Sequence, residues 1–215
     1  KRIFSAFSLN SYTEMSAENL AENKQISYKS ELYMKTRGYF LRNLYQIIDK
    51  LKESSVDIIL SAYPVELRYF PPNSPLFRDS KMDQAKILEE FYTGLFEKDS
   101  LKLRDQLNYM TIWEPESALT AWMHGKSYEF FGYPDSAYSY YQKSRDLDGF
   151  RNHSDADFNA ALKQLAVEKE TEFFDPGFIL FQGEGFYDGT LLNERGYQLM
   201  MTSLGDQILS KMSKK

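Results

Sequence analysis

Hydrophobic residues recur at three- and four-residue steps over most of the chain, which is the spacing of helices with one buried face. Pro115 and Pro134 stand where helices begin, and Ser154 or Asp155 is suited to cap another. The pattern predicts helices over about 32–52, 84–97, 100–110, 117–131, 135–147, 155–169 and 193–212. The chain is therefore predicted to be helix-rich.

Three short apolar runs predict strands: Ile3–Leu9, Val56–Ala62 and Thr171–Phe174. Val56–Ala62 follows a helix and a polar turn, which favours a parallel strand buried on both faces. The polar stretch Ser11–Ser30 indicates a loop or loose helix, and the glycine- and aromatic-rich stretch Pro176–Gly189 a loop. Helices that alternate with strands indicate an α/β sheet.

A repeat-like pattern lies in the helical middle of the chain. Within Ala118–Arg151, small and aromatic residues take the places that a 34-residue tetratricopeptide repeat reserves for them: Gly125, Tyr128, Gly132, Ala137 and Tyr141. An ordinary helical hairpin with a small-residue contact is the alternative. We predict three parts: a first α/β part at 1–82, a helical insert at 83–150, and a C-terminal α/β part at 151–215.

Composition and charge exclude several classes of protein. The 215 residues include 16 Tyr, 16 Phe and 2 Trp, enough aromatic surface to bury a core. The net charge of −5 gives no reason to expect nucleic-acid binding or an anionic membrane surface, and no apolar run is long enough to span a membrane. The absence of cysteine excludes disulfides and thiolate sites, and is compatible with a periplasmic or a cytoplasmic location.

Only two histidines could serve as a general base or metal ligand. His124 lies in the repeat-like helix beside Gly125, where a packing role is expected. His153 lies in a polar loop, where solvation is expected. No phosphate-binding glycine motif is present, and we expect neither a cofactor nor a metal.

Several blocks, in order along the chain, resemble SGNH (GDSL-type) hydrolases that carry a tetratricopeptide insert. Phe186–Tyr197 (FYDGTLLNERGY) is similar to their last block, in which an Asp and a His three residues later complete a Ser-His-Asp triad. The earlier blocks are Tyr39–Leu44, Asp57–Pro64, the proline-rich Leu67–Ser74, and Asp146–Arg151, followed by a helix and a strand ending in Asp175. The resemblance implies a partial flavodoxin-like parallel sheet with a helical insert.

Two departures from the family pattern concern the triad itself. Asp188 stands at the aspartate position, but Leu191 occupies the histidine position and has no lone pair with which to accept a proton. The Gly-Asp-Ser nucleophile block is not seen either. If residues 5–10 form the third strand of the family, Asn10 takes the oxyanion position, and two strands and the nucleophile would precede Lys1. Asp188 could instead cap the last helix or satisfy backbone donors.

These departures lead to three hypotheses of function. The first is an SGNH-like protein without hydrolytic activity that binds a protein partner, or a carbohydrate or lipid ester, in the residual cleft or on the helical insert. The second is an active esterase or O-acyltransferase whose serine lies upstream and whose base is His153. The third is an adaptor in which the helical insert binds the partner.

Overall fold

The structure is a computed structural model that describes residues 25–66, 68–69, 71–150, 154–182, 184–186 and 191–213. The predicted strand Ile3–Leu9 and most of the polar stretch Ser11–Ser30 lie outside these residues. In chain order the elements are helix α1 (Glu31–Glu53), strand β1 (Ile59–Ser61), helices α2 (Gln84–Glu97), α3 (Ser100–Trp113), α4 (Ala118–Phe130), α5 (Pro134–Leu147) and α6 (Ala156–Glu168), strand β2 (Glu172–Phe174), and helices α7 (Gly177–Gln182) and α8 (Glu194–Met212). The described chain is helix-rich with a small parallel sheet.

Polar caps set where the helices begin. The carboxylate of Asp83 accepts hydrogen bonds from the first turn of α2, that of Asp99 does the same for α3, and the amide of Asn193 does so for α8. Each cap satisfies backbone N–H groups that have no partner inside the helix. Helix α3 continues beyond its predicted end at residue 110 to Trp113, and stops ahead of Pro115, which disfavours helical backbone in the residue before it.

Strands β1 and β2 pair in parallel, with Ile59 opposite Glu172 and Ser61 opposite Phe174. The parallel direction agrees with the sequence pattern, since a helix precedes each strand. Each strand has only three residues, whereas seven were predicted for β1. Ser61 is exposed, so the prediction of a strand buried on both faces is wrong over this part of its length.

The described residues form two hydrophobic clusters. The smaller joins α1, β1 and α6 through Ile48, Leu60, Leu165 and Ala166. The larger fills the space between helices α2 to α5, and its buried members are Phe91, Leu103, Leu107, Met110, Leu119, Trp122, Met123, Ala137, Tyr141 and Phe181. Phe181 belongs to α7, so the C-terminal part of the chain packs directly into the helical middle.

Helices α4 and α5 form a closely packed hairpin. A Cβ atom on Gly125 would lie 2.5 Å from Cδ1 of Tyr141, so only glycine lets the two helices approach this far. Ala137 is fully buried in the same contact. Gly125 is therefore at the place where the two helices touch, whereas a Cβ atom on Gly132 would meet no atom of the described chain within 4 Å.

The stretch Pro176–Gly189 contains helix α7 where a loop was predicted. Leu180 and Phe181 are buried, and the backbone N–H of Leu180 donates to the carbonyl of Pro176. Burial of these two side chains stabilises the helix. Its six residues are too few for a helical pattern of hydrophobic positions to be recognised in the sequence.

Candidate functional site

Because β1 and β2 are parallel, their carboxyl ends meet at the same edge of the sheet. Ligands of open α/β sheets bind in the crevice outside such carboxyl ends. The chain beyond β1 runs from Tyr63 to Pro72, and the chain beyond β2 enters α7 at Gly177. We take these two loops and the turn ahead of α8 as the candidate site.

Arg68 connects the loop after β1 to two helices. Its Nη2 donates to the carbonyl oxygen of Phe181 on α7, and its Nε lies 3.4 Å from Oε1 of Glu129 on α4. Its Nη1 lies 3.7 Å from Oε1 of Glu184. The Arg68 side chain is only 11% exposed, so this hydrogen bond and the two ion pairs hold the loop against the helices with little competition from water.

Further polar groups surround Arg68. Glu129 accepts a 2.7 Å hydrogen bond from the Tyr141 hydroxyl and lies 3.3 Å from Nζ of Lys126, and Oε1 of buried Glu66 accepts a 2.6 Å bond from the backbone N–H of Arg68. Burial, and then the bond to Glu129, raise the pKa of Tyr141. The phenol therefore remains a donor and cannot act as a base. We call Arg68, Glu66, Lys126, Glu129 and Tyr141 the Arg68 network.

A row of aromatic rings crosses the candidate site. The Arg68 guanidinium lies 4.4 Å from the ring centroid of Phe181 and 5.6 Å from that of Tyr69. Tyr138 lies 4.9 Å from Phe181 and 5.2 Å from Phe178. Tyr69 is 50% exposed and Phe178 is 40% exposed. This aromatic row (Tyr69, Arg68, Phe181, Tyr138 and Phe178) thus reaches solvent at both ends.

The end of β2 is fixed to the same row. The Oδ1 atom of Asp175 accepts a 2.9 Å bond from the backbone N–H of Gly177 and so starts α7. Burial raises the pKa of Tyr138, and the negative charge of Asp175 raises it further. Tyr138 is therefore neutral and contributes its aromatic ring at the carboxyl edge of the sheet.

Two buried carboxylates hold the loop between β1 and α2. Asp148 accepts 2.9 Å bonds from the backbone N–H groups of Asn73 and Ser74. Glu114 does the same for Arg78 and Asp79, at 2.8 and 3.0 Å. This loop has no ladder to satisfy its backbone donors, and the two carboxylates supply the acceptors instead.

The turn ahead of α8 is closed by Asn193. Its Oδ1 accepts from the backbone N–H of Gly196, and its Nδ2 donates to the carbonyl groups of Glu184 and Phe186. Gly196 lies against the backbone of Gly185 in this turn. Asn193 thus caps α8 and ties it to the segment Glu184–Phe186.

Leu191, at the histidine position of the predicted triad, precedes Asn193. Phe186 and Leu192 form an antiparallel bridge, and the Leu191 side chain is 57% exposed. Asp188 lies outside the described residues, as do Asn10 and His153, so their predicted roles stay predictions.

His124 is held between helices. Thr111 Oγ1 donates to the carbonyl of Leu107, so it accepts from Nε2 of His124 at 2.9 Å. The imidazole stacks on Tyr140 with centroids 4.8 Å apart. Burial lowers the pKa of His124, and the charge of Lys143 lowers it further. The hydroxyl proton is committed to a backbone carbonyl, so this pair is not an activated nucleophile.

Sequence reasoning identified the loop Leu67–Ser74 as a block but missed the role of Arg68, because its partners Glu129 and Phe181 are distant in sequence. In the described ranges no group of three or more His, Cys, Asp or Glu side chains could hold a metal ion. The same part of the chain contains no helix both long and apolar enough to cross a membrane.

The chain was compared with protein families, curated proteins and solved structures. No family model, curated protein or solved structure matches the chain significantly.

Proposed function

We propose that this chain is an SGNH-hydrolase-like protein that binds a carbohydrate or lipid ester at the candidate site without hydrolysing it. The observation that carries the proposal is Leu191, an exposed hydrocarbon side chain at the position where the resembling family has its general base. A leucine cannot accept the proton of a serine hydroxyl. Asp188 is then a remnant of the triad with no imidazole to orient.

The contacts within the fold support the SGNH-like proposal. The Asp146–Arg151 and Leu67–Ser74 blocks lie against each other, because Asp148 accepts hydrogen bonds from Asn73 and Ser74. Parallel strands that each follow a helix are compatible with a partial flavodoxin-like sheet. The Gly125–Tyr141 contact supports a tetratricopeptide-like insert, in which small residues are required between paired helices.

The aromatic row supports a ligand with flat or apolar surfaces. Binding sites for small molecules are lined mainly by aromatic and apolar side chains with a few polar groups that fix orientation. Tyr69 and Phe178 offer exposed rings. The Nζ atom of Lys126 lies 5.8 Å from the ring centroid of Tyr69 and supplies a donor beside it. An acylated sugar or a lipid ester presents both an apolar part and carbonyl acceptors to such a surface.

The first experiment measures ester hydrolysis with the full-length natural protein, including any residues that precede Lys1, using 4-nitrophenyl acetate and O-acetylated oligosaccharides. We expect 4-nitrophenol and acetate to be released no faster than in buffer alone. Protein-dependent turnover that His153→Ala abolishes would overturn the proposal in favour of the active esterase or O-acyltransferase.

The second experiment measures binding of the same oligosaccharides and of a short-chain lipid ester by calorimetry. Tyr69→Ala and Phe178→Ala are each expected to weaken binding about tenfold, as loss of a stacked ring does. Tyr109→Ala is the matched control, since Tyr109 is equally exposed but lies on α3 against Trp113. An equal loss of affinity in all three variants, or no binding of these ligands to the parent chain, would count against the site.

Binding through the helical insert is the second candidate. Large exposed side chains on α2 and α3 favour it: Phe96, Leu101, Ile112 and Trp113. Ile112→Glu combined with Trp113→Glu should abolish capture of a protein partner if this surface binds it, and should leave ester binding unchanged. Partner capture that survives both substitutions would exclude it.

A further inference from the structure

Helices α1 and α6 lie side by side and run in the same direction. Near their amino-terminal ends, the Tyr33 hydroxyl on α1 donates to Asp155, the cap of α6, at 2.9 Å. Near their carboxyl-terminal ends, Nζ of Lys169, the residue that follows α6, forms an ion pair with Asp49 on α1. Residues at the same height on the two helices therefore face each other along the line where the helices meet.

A groove of about 700 Å³ lies between the two helices. Residues of both helices line it, among them Arg37, Leu41, Arg42, Tyr45, Ala160 and Leu165. We call it the α1–α6 groove. Leu165 also belongs to the smaller hydrophobic cluster, so the apolar wall of the groove continues into the core. A volume of this size is typical of binding sites for small molecules.

The Arg37 side chain has an unsatisfied donor beside this groove. Its Nε atom is buried, and no described residue accepts a hydrogen bond from it. A buried N–H without an acceptor is unfavourable, and most such groups in folded proteins are satisfied. Arg37 and Arg42 also form no ion pair with a carboxylate of the described ranges. A bound molecule with an anionic group would supply the acceptors that the fold does not.

The charges that line the groove are separated along its length. Arg37 and Arg42 are positive, and Glu168, the last residue of α6, is negative. Oε1 of Glu168 accepts a 3.0 Å hydrogen bond from Nε2 of Gln164 and does not pair with either arginine. Because α1 and α6 are parallel, Glu168 lies toward the end of the groove away from Arg37. An anionic group is therefore favoured at the Arg37 end.

Tyr45 marks the opposite end of the groove. Nζ of Lys169, which is adjacent to Glu168 in sequence, lies 3.1 Å from the ring centroid of Tyr45, and its charge is paired with Asp49. The eight residues from Arg37 to Tyr45 cover about 12 Å of the groove at 1.5 Å per residue. This length suits an extended aliphatic chain with one charged end.

We propose that the α1–α6 groove binds an aliphatic carboxylate. Its carboxylate accepts hydrogen bonds from Arg37 and Arg42, whose planar guanidinium groups match the geometry of a carboxylate. Its hydrocarbon chain runs along Leu41 and Leu165 toward Tyr45, where burial of apolar surface favours it. The groove shares no residue with the candidate site at the carboxyl edge of the sheet, so this binding does not depend on the proposed function.

Calorimetry with decanoate and the full-length protein tests the role of the arginines. Arg37→Gln and Arg42→Gln are each expected to weaken binding about tenfold, because each removes a charged donor from the carboxylate. Arg104→Gln is the matched control, since Arg104 is exposed on α3 and should leave the affinity unchanged. The uncharged 1-decanol, which has the same chain length, should bind at least about tenfold more weakly than decanoate.

A bulky side chain in the groove tests the position of the hydrocarbon chain. Ala160 lines the groove and is exposed, so Ala160→Phe fills the groove without disturbing the core. We expect this variant to lose decanoate binding. Val167→Phe is the control on the same helix, because Val167 is 69% exposed and lies outside the groove. It should bind decanoate like the parent chain, and circular dichroism shows whether both variants are folded.

Three outcomes would overturn the proposal. The first is that the parent chain does not bind decanoate, and the second is that 1-decanol binds as tightly, which would leave the arginines without a role. The third is that Tyr69→Ala weakens decanoate binding while Arg37→Gln does not, which would place the ligand at the candidate site. Failure of the proposed function is seen separately, in the binding of acylated sugars and lipid esters to the parent chain.

Discussion

The hydroxyl of Tyr33 on α1 donates a 2.9 Å hydrogen bond to Oδ1 of Asp155, the residue that caps α6. Both side chains are buried, and Asp155 also accepts from the backbone N–H of Phe158. Desolvation by burial, and then the bond to Asp155, raise the pKa of Tyr33. One carboxylate thus starts α6 and fixes α6 to α1.

We expect Tyr33→Phe to destabilise the protein by about 1–3 kcal/mol, because it removes a donor from a buried carboxylate. Urea unfolding measures the change. Tyr39→Phe is the matched control on the same helix, since Tyr39 is exposed. Equal unfolding free energies for the two variants would show that the Tyr33–Asp155 bond makes no net contribution.

The α4–α5 contact predicts the effect of a single methyl group. Gly125→Ala would push a Cβ atom into the ring of Tyr141, and we expect a loss of about 1–3 kcal/mol in unfolding free energy. Gly38→Ala is the control, because a Cβ on this helical glycine meets open space. Alanine should stabilise α1 there by up to about 1 kcal/mol. Two changes of the same sign would contradict the packing argument.

Local signals explain which parts of the fold could be predicted. The start of α2 follows from Asp83, and the parallel direction of β1 follows from the helix before it. Both depend on residues that are neighbours in sequence. The α4–α5 contact was predictable from the spacing of Gly125 and Tyr141, because they lie on consecutive helices joined by a short turn.

The remaining features depend on contacts between distant residues. Helix α7 forms where Phe181 is buried against the α2–α5 core, and its composition alone indicates a loop. The length of β1 is set by where Glu172–Phe174 lies opposite it, not by its own apolar run. Arg68 could not be predicted as a site residue, because Glu129, which lies 3.4 Å from it in the fold, is distant from it in sequence.

Gly196 and Gly205 offer a matched pair within α8. A Cβ on Gly196 would overlap the backbone of Gly185, whereas one on Gly205 meets open space. We expect Gly196→Ala to cost about 1–3 kcal/mol and to release the turn that Asn193 closes. Gly205→Ala should be neutral or stabilising. The check is urea unfolding together with amide exchange at Asn193, whose protection should fall only in the first variant.

Substitution of Asp148 is expected to loosen the loop between β1 and α2 locally. Asp148→Asn replaces one of two acceptor oxygens by a donor, so the N–H groups of Asn73 and Ser74 cannot both be satisfied. We expect a loss of about 1–3 kcal/mol and faster amide exchange at these two residues. Asp206→Asn, on an exposed position of α8, should change neither. Slow exchange retained in Asp148→Asn would contradict this account of the loop.

His124 makes stability depend on pH in a predictable direction. Burial and the charge of Lys143 lower its pKa below the ordinary value of 6.5, so the folded chain favours the neutral imidazole. As the pH falls through about 6.5, the unfolded chain binds a proton that the folded chain does not yet bind. The free energy of unfolding should therefore fall from about pH 7.5 toward pH 5.5.

The comparison that isolates His124 is urea unfolding of the parent chain and of His124→Gln over this range. Glutamine cannot titrate but can still donate to Thr111, so the variant should lose less stability than the parent as the pH falls. His153 and the carboxylates are present in both chains, and their contributions cancel in the difference. Parallel curves would mean that the Thr111–Tyr140 environment does not favour the neutral imidazole.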